Sequence, residues 1–413
     1  MAEAASAIPE DLAKINELDA RGAVDVILRH AVQRRASDVF IQPNTNHYNV
    51  SIRELGRIRR LVVVSTPLGL QIINHIKSLS GMDLAEKRIP LDGHWGREVQ
   101  GKRFEFRVNT IGTHYGEDLV MRLIPTGDDR LRLPDLGLEG RQLSDVKSML
   151  NVGAGLLLVC GPVGSGKSTT LYACLDHLNT GERMINTLED PIEQVLPGIR
   201  QSAIQNKIGV GFQELLRGVL RQSPDVIMIG EIRDEETADT AVRAANSGHL
   251  VLSTLHSPLA AGAIQSMLAF GINPYFFANC LVGIVAQRLV RQLSPESRIA
   301  YDVSHAPEMF DEVRDHLQPG QGKVIYGPDE GDPNSVGGYI GRTGLFEVMP
   351  AGKSIKDLIS RGAEVGEIHR AAIERGMLDF RRAALLKLAQ GVISVEEMSR
   401  VIPVAEWDDQ EAV

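Results

Sequence analysis

Cysteine is scarce: Cys160, Cys174 and Cys280 are the whole complement of this 413-residue chain, and all three stand in apolar surroundings. Scattered in this way they exclude a disulfide framework or a cysteine-rich metal cluster and fit reduced core thiols. Long apolar runs are missing too, so no segment reaches the length of a membrane span. The start, Met1-Ala2-Glu3-Ala4-Ala5-Ser6, lacks the basic-then-apolar order of a secretory leader. These absences lead to the expectation of a cytoplasmic protein. There is no basic excess either. The net charge of −9 argues against a general nucleic-acid coat, while a local basic channel would survive that average. What is present is the ordinary apolar and charged balance of a globular protein, long enough for two or three domains.

Along the chain, residues 1–22 are polar and read as a flexible tail. Ala23, Val24, Ile27, Leu28, Ala31 and Val32 then recur at helical spacing. Val39–Ile41, Tyr48/Val50/Ile52, Ile58–Val64, Phe104/Phe106/Val108 and Leu119/Met121/Leu123 read as strands, with a helix through Leu70, Ile73, Ile76 and Leu79. Residues 23–126 are therefore expected as a small α+β domain. A linker over 127–151 follows, with a helix from Leu143 to Leu150. From 152 to 350, apolar runs alternate with helical patterns: Leu156–Cys160, Met184–Leu188, Val226–Ile229 and Leu250–Leu255. That is an α/β sheet with its chemistry at the strand ends. Residues 295–337 read as a loop-rich excursion, and 351–413 as two or three helices with a disordered acidic tail.

The stretch with the most chemistry is Gly161-Pro162-Val163-Gly164-Ser165-Gly166-Lys167-Ser168, preceded by an apolar strand and followed by a helix from Thr169. It fills every fixed position of G-x-x-x-x-G-K-[ST], the loop that cradles nucleotide phosphates. Glycines let backbone N–H groups point at the phosphates, and the helix N-terminus adds its positive dipole end. Lys167 is the natural partner of the β/γ-phosphates of ATP, and the Ser168 hydroxyl a ligand of Mg²⁺. The bland alternative is a glycine-rich turn; the strand, the Lys-Ser pair and the helix argue against it.

Asp225-Val-Ile-Met-Ile-Gly-Glu231 is a buried-strand pattern ending in a carboxylate, suited downstream of such a loop to serve Mg²⁺. Thr187-Leu-Glu-Asp-Pro-Ile-Glu193 places three acids at another strand end, either for catalysis or as a solvated turn capped by Asp190. Glu189 is the favoured base or water-orienting residue. His249 and His256 bracket a further strand. His256 is suited to sense the γ-phosphate and His249 to order the acids, though a histidine at a strand end is commonly structural. Arg217, Arg221, Arg233 and Arg243 either supply charge to a transferring phosphoryl group or simply solvate helix faces.

Together these segments resemble the secretion ATPases of type II secretion and type IV pilus assembly. The resemblance runs through Thr187–Glu193, Leu220-Arg-Gln-Ser-Pro-Asp225, Gly230-Glu-Ile-Arg-Asp-Glu-Glu-Thr-Ala238, Gly248–His256 and Gln287-Arg-Leu-Val-Arg291. It extends to Ala36-Ser-Asp38, Met82–Pro90, Phe106-Arg-Val108 and Gly116–Arg122, and to Gly341-Arg-Thr-Gly344, covering roughly residues 23–402. It implies a RecA-like P-loop NTPase core with a smaller α+β N-terminal domain and a helical C-terminal part. It also implies a homohexamer whose sites lie between subunits, with Arg107 and Arg122 reaching a nucleotide. The partners it implies are an inner-membrane platform protein and the pilus or secretion machinery, which would hold the motor at the inner membrane.

Many relatives carry two C-x-x-C pairs that bind zinc. Here Ser294-Pro-Glu-Ser297 and Gly331-Asp-Pro-Asn334 stand in their places, so no zinc is expected. A short form without the extra N-terminal docking domain of longer relatives is expected too. The alternative functions are a pilus-retraction or DNA-uptake motor, then a nucleic-acid translocase or an ATP-binding scaffold without turnover.

Overall fold

The computed structural model describes residues 9–126, 131–205 and 208–402. The chain divides into two units, Met1–Arg130 and Leu131–Val413. Residues 1–8, 127–130 and 403–413 of the expected tail, linker and acidic end lie outside the described residues.

In the first unit, α1 (Glu10–Ala13) and α2 (Ala20–Gln33) precede β1 (Asp38–Pro43), β2 (His47–Glu54) and β3 (Arg57–Ser65). Then come α3 (Thr66–Leu79), β4 (Leu91–Val99), β5 (Lys102–Thr113) and β6 (Gly116–Pro125). The strands form one antiparallel sheet in the order β3-β2-β1-β6-β5-β4. Helix α2 starts where the Asp19 carboxylate accepts the Gly22 N–H, and it buries Ala23, Val24, Ile27, Leu28 and Ala31 along one face. The expected flexible tail is corrected for its described part: Leu12 and Ile15 are fully buried in the core beside α2, so burying them offsets the entropy of ordering the segment.

The second unit opens with α4 (Gly140–Leu150), β7 (Gly155–Cys160), α5 (Lys167–Leu178), β8 (Ile185–Glu189) and β9 (Arg200–Ala203). It continues with α6 (Phe212–Val219), β10 (Val226–Ile229), α7 (Glu235–Asn246), β11 (Leu250–Leu255), α8 (Ala260–Ala269) and α9 (Pro274–Cys280). After these come β12 (Leu281–Leu293), β13 (Ile299–Asp302), β14 (Val324–Gly327), β15 (Tyr339–Pro350) and the helices α10 (Lys353–Ser360), α11 (Val365–Glu374), α12 (Phe380–Ala389) and α13 (Val395–Val401). The main sheet runs β15-β12-β7-β11-β10-β8-β9, all parallel except β15. Alternate residues of β7 face two different cores. Leu157 and Val159 meet α4 and α5, while Leu156, Leu158 and Cys160 meet the core shared by α7, α8 and the C-terminal helices. A sheet covered on both faces explains the unbroken apolar runs in its central strands.

Three expectations change here. Residues 131–150 do not link: Leu133, Leu136, Val146, Met149 and Leu150 are core residues of the second unit. The excursion over 295–337 contains the β13–β14 ribbon and a 3₁₀ segment, Pro307–His316, and it sends Val303, Phe310 and Val313 into the core. Finally, four helices, not two or three, follow β15 among the described residues.

Candidate active site

Strands β7, β11, β10 and β8 run parallel, so their C-terminal ends meet at one sheet edge. Cys160 pairs with Leu255, Ile229 with Ser253, and Ile229 with Leu188. The loop after Cys160, Glu231 beyond β10, His256 beyond β11 and the last residue of β8, Glu189, therefore emerge together. Side chains lock this edge: the Ser253 hydroxyl donates to the Ile229 carbonyl and the Thr254 hydroxyl to the Gly230 carbonyl, each at 2.8 Å. The Ile232 N–H returns a bond to the Thr254 carbonyl at 3.0 Å.

The loop is shaped by its neighbours. Gly161 has φ 151° and Gly166 φ 90°. A Cβ on Gly161 would meet the Gln287 carbonyl at 2.4 Å, and one on Gly166 would meet Gln287 Nε2 at 3.0 Å. Both positions thus require glycine. Lys167 Nζ donates to the carbonyls of Gly161 (2.9 Å) and Pro162 (3.1 Å), folding its stem under the loop. Helix α5 begins at Lys167 with no side chain capping it, which leaves its first-turn N–H groups for an anion. Ser168 and Thr169 are exposed on that first turn, Val163 is exposed at the loop tip, and Gly164 has open space around it. Burial lowers the Lys167 pKa, and the Glu231 charge opposes that shift. The donor set therefore fits a polyphosphate: a cation, free helix N–H groups and close backbone, with the Ser168 hydroxyl and the Glu231 carboxylate as oxygen donors of the kind Mg²⁺ takes.

Glu231 is held from two sides. His256 Nε2 lies 2.6 Å from one carboxylate oxygen, and Arg233 Nε donates to the other at 2.7 Å. The acid is largely buried, with its side chain 16% exposed, while those of His256 and Arg233 are 50% and 69% exposed. Both partners can therefore swing towards a ligand without unpacking a core.

Glu189, expected as the base or water-orienting residue, stands in a closed set of hydrogen bonds. It is buried, and both carboxylate oxygens are in use. Tyr172 donates to one at 2.5 Å, and Thr187 (2.6 Å) and the Gln201 amide (3.0 Å) donate to the other. The Tyr172 oxygen in turn accepts the Glu193 and Gln194 N–H groups at 3.1 and 3.3 Å. A carboxylate so enclosed holds the segment after β8 in place.

Other expected residues of the second unit lie away from this edge. His249 precedes β11 and its carbonyl accepts the Gly155 N–H at the start of β7, at 3.0 Å. Six strand residues, roughly 20 Å, separate it from His256. Its ring meets the Ala244 carbonyl at 3.0 Å instead of ordering the acids. Arg217 and Arg221 are exposed, and Arg221 stands in the 3₁₀ turn whose Gln222 reaches Asn186 near the start of β8, not its end. Arg243 pairs with Asp239 on α7. Arg107 and Arg122 belong to the first unit, where they are opposite one another on β5 and β6. Arg122 and Arg53 both donate to Asp38, at 3.1 and 3.2 Å.

One residue was quoted from the sequence without a role. Gln287 on β12 donates from Nε2 to the Ser165 carbonyl at 2.6 Å and is 2% exposed. Its place at the head of Gln-Arg-Leu-Val-Arg was the available signal.

Comparison with known proteins gives the family and the fold. The family model described as "Type II/IV secretion system protein" matches residues 17–400. "Type II secretion system protein E" of Dickeya dadantii is 37% identical over 92% of this chain and 74% of its own length. The "Protein transport protein HofB homolog" of Escherichia coli is 37% identical over 91% of this chain and 80% of its own. Among solved structures, the ATPase DotB of Legionella pneumophila superposes with TM-score 0.69 at 23% identity, covering 92% of this chain and 95% of its own. The pilus retraction motor PilT with bound ADP gives TM-score 0.63 at 24% identity, covering 94% and 99%. The fold is thus a RecA-like P-loop core with a smaller N-terminal domain, and the chain belongs to the type II/IV secretion system protein family.

Proposed function

We propose that the chain is an ATP-hydrolysing motor that powers assembly of a type II secretion pseudopilus or a type IV pilus. The observation that carries this is the single edge where the phosphate loop, Lys167 and the His256–Glu231–Arg233 cluster converge. Lys167 exchanges the Gly161 and Pro162 carbonyls for β/γ-phosphate oxygens, and the loop and α5 N–H groups take the remaining phosphate charge. Ser168 and, through water, Glu231 would hold Mg²⁺, which when bound would supply charge neutralisation at the phosphates. Glu231 orients the attacking water, while His256 and Arg233 turn from Glu231 to the γ-phosphate and meet the charge that develops on it. Glu189 acts at one remove, fixing the segment after β8 through Tyr172, Thr187 and Gln201.

The working unit in this reading is a homohexamer, cytoplasmic and held peripherally at the inner membrane by a platform protein. Arg107, Arg122, Arg217, Arg221 and His249 are then residues of subunit boundaries, where a neighbour's nucleotide is within their reach. Identity favours the assembly or secretion role over retraction or DNA uptake: 37% to a type II secretion protein against 24% to the retraction motor. Phosphate release from ATP, measured with and without Mg²⁺ for the wild type, Lys167→Ala and Glu231→Ala, tests the proposal. Turnover near wild type in both variants overturns it, and turnover that requires DNA and collapses with salt supports a translocase instead.

A further inference from the structure

Gln287 lies directly against the phosphate loop. Its backbone carbonyl and its amide are the atoms that exclude a Cβ at Gly161 and Gly166, at 2.4 and 3.0 Å. Only half of its amide is used. Nε2 donates to the Ser165 carbonyl, while Oε1 is fully buried with no hydrogen-bond partner. The Ser165 hydroxyl, also buried, lacks a partner as well. A buried amide acceptor on β12 and a buried hydroxyl donor on the loop, both left unused, are costly, and each is the chemical complement of the other.

We infer that Gln287 is a positioning residue for the phosphate loop, holding the Ser165 carbonyl in one loop setting and taking the Ser165 hydroxyl on Oε1 in the setting that binds phosphate. The strand behind it makes the clamp firm. Four residues on, the Arg291 N–H and guanidinium are both bonded to the buried Glu397 of α13, at 2.7 and 2.8 Å. Arg288 reaches the Val401 carbonyl at 2.8 Å, so β12 is anchored to the C-terminal helices while Gln287 touches the loop.

This inference rests on the ATP reading above, and its test separates the two. Gln287→Met keeps the volume and removes both amide atoms. In the full chain it raises the KM for ATP about tenfold and shrinks the ATP-induced thermal shift, measured from the variant's own melting temperature without ATP. Ser165→Ala raises KM less, and its effect disappears in the Gln287→Met background, which a merely structural contribution would not do. An unchanged KM, or additive effects of the two changes, overturns the inference. Should Gln287→Met fail to fold, Ser165→Ala alone decides, a KM equal to wild type being the contrary result. Lys167→Ala is the control. If it binds and turns over ATP normally, the ATP reading itself fails; if it is inactive while Gln287→Met is normal, only the role of Gln287 falls.

Discussion

The two ends of β10 and β11 carry the same kinds of residue and put them to different uses. At the C-terminal ends, Glu231 and His256 face each other beside the phosphate loop, half-freed for a ligand. At the N-terminal ends, Asp225 accepts the Met184 N–H at 2.6 Å and the His249 ring meets the Ala244 carbonyl. Asp225 ties the start of β10 to the start of neighbouring β8, and His249 closes the turn between α7 and β11. An acid or a histidine next to an apolar run is thus uninformative by type alone; the direction of the strand decides whether it meets substrate or backbone.

The largest expected effect breaks or upholds that contrast on β10. Glu231→Gln should lower ATP turnover by about a hundredfold or more, as loss of a group acting on the transition state does. Asp225→Asn should stay within about twofold in turnover and lose about 1 kcal/mol of stability, read by urea denaturation. Next comes the histidine pair on β11. His256→Ala should cost about tenfold in kcat, while His249→Ala in the isolated chain should stay within about twofold. An equal loss in both would show that the two strand ends meet at one site, as subunit neighbours could bring about.

The smallest effect sharpens the comparison at β15, whose Glu347 lies in the same cross-sheet row as Cys160. Burial foremost, with the Asp379 charge, pushes the Glu347 pKa up to about 8 from 4.5, against the Ala260 and Phe380 N–H groups and Arg288. Between those values the folded chain keeps a proton that the unfolded chain has released, so this group's contribution to stability falls as pH rises from 4.5 to about 8. Glu347→Gln removes that slope. Thermal melts across this range should therefore show the variant gaining on the wild type towards alkaline pH.

Much of this was legible beforehand, for identifiable reasons. The loop was readable because its glycines, Lys167 and Ser168 are contiguous and each is demanded by backbone chemistry. The central strands were readable because burial on both faces makes them continuously apolar. β4 and β15 were not: Leu91–Val99 mixes Gly93 and Gly96 with charges at a sheet edge, and Tyr339–Pro350 begins Tyr-Ile-Gly-Arg-Thr-Gly, which reads as a turn. β15 takes its pairing from β12, distant in sequence, while β4 is an edge arm of a hairpin with β5 whose glycines and charges hide its alternation. The partners of Glu189 were hidden for a related reason. Its three donors, Tyr172, Thr187 and Gln201, come from two helix or strand elements beyond its own, and only folding brings them to one carboxylate. Gln287 was hidden likewise, being 122 residues from the carbonyl it holds.

The central claim is that the edge marked by Lys167 binds and hydrolyses ATP. Parallel measurement of phosphate release from Mg·ATP by the wild-type chain and Lys167→Ala tests it most directly. The account predicts steady turnover by the wild type and at least about a hundredfold less by Lys167→Ala, with both chains melting alike in the absence of nucleotide. Equal turnover by the two would contradict it.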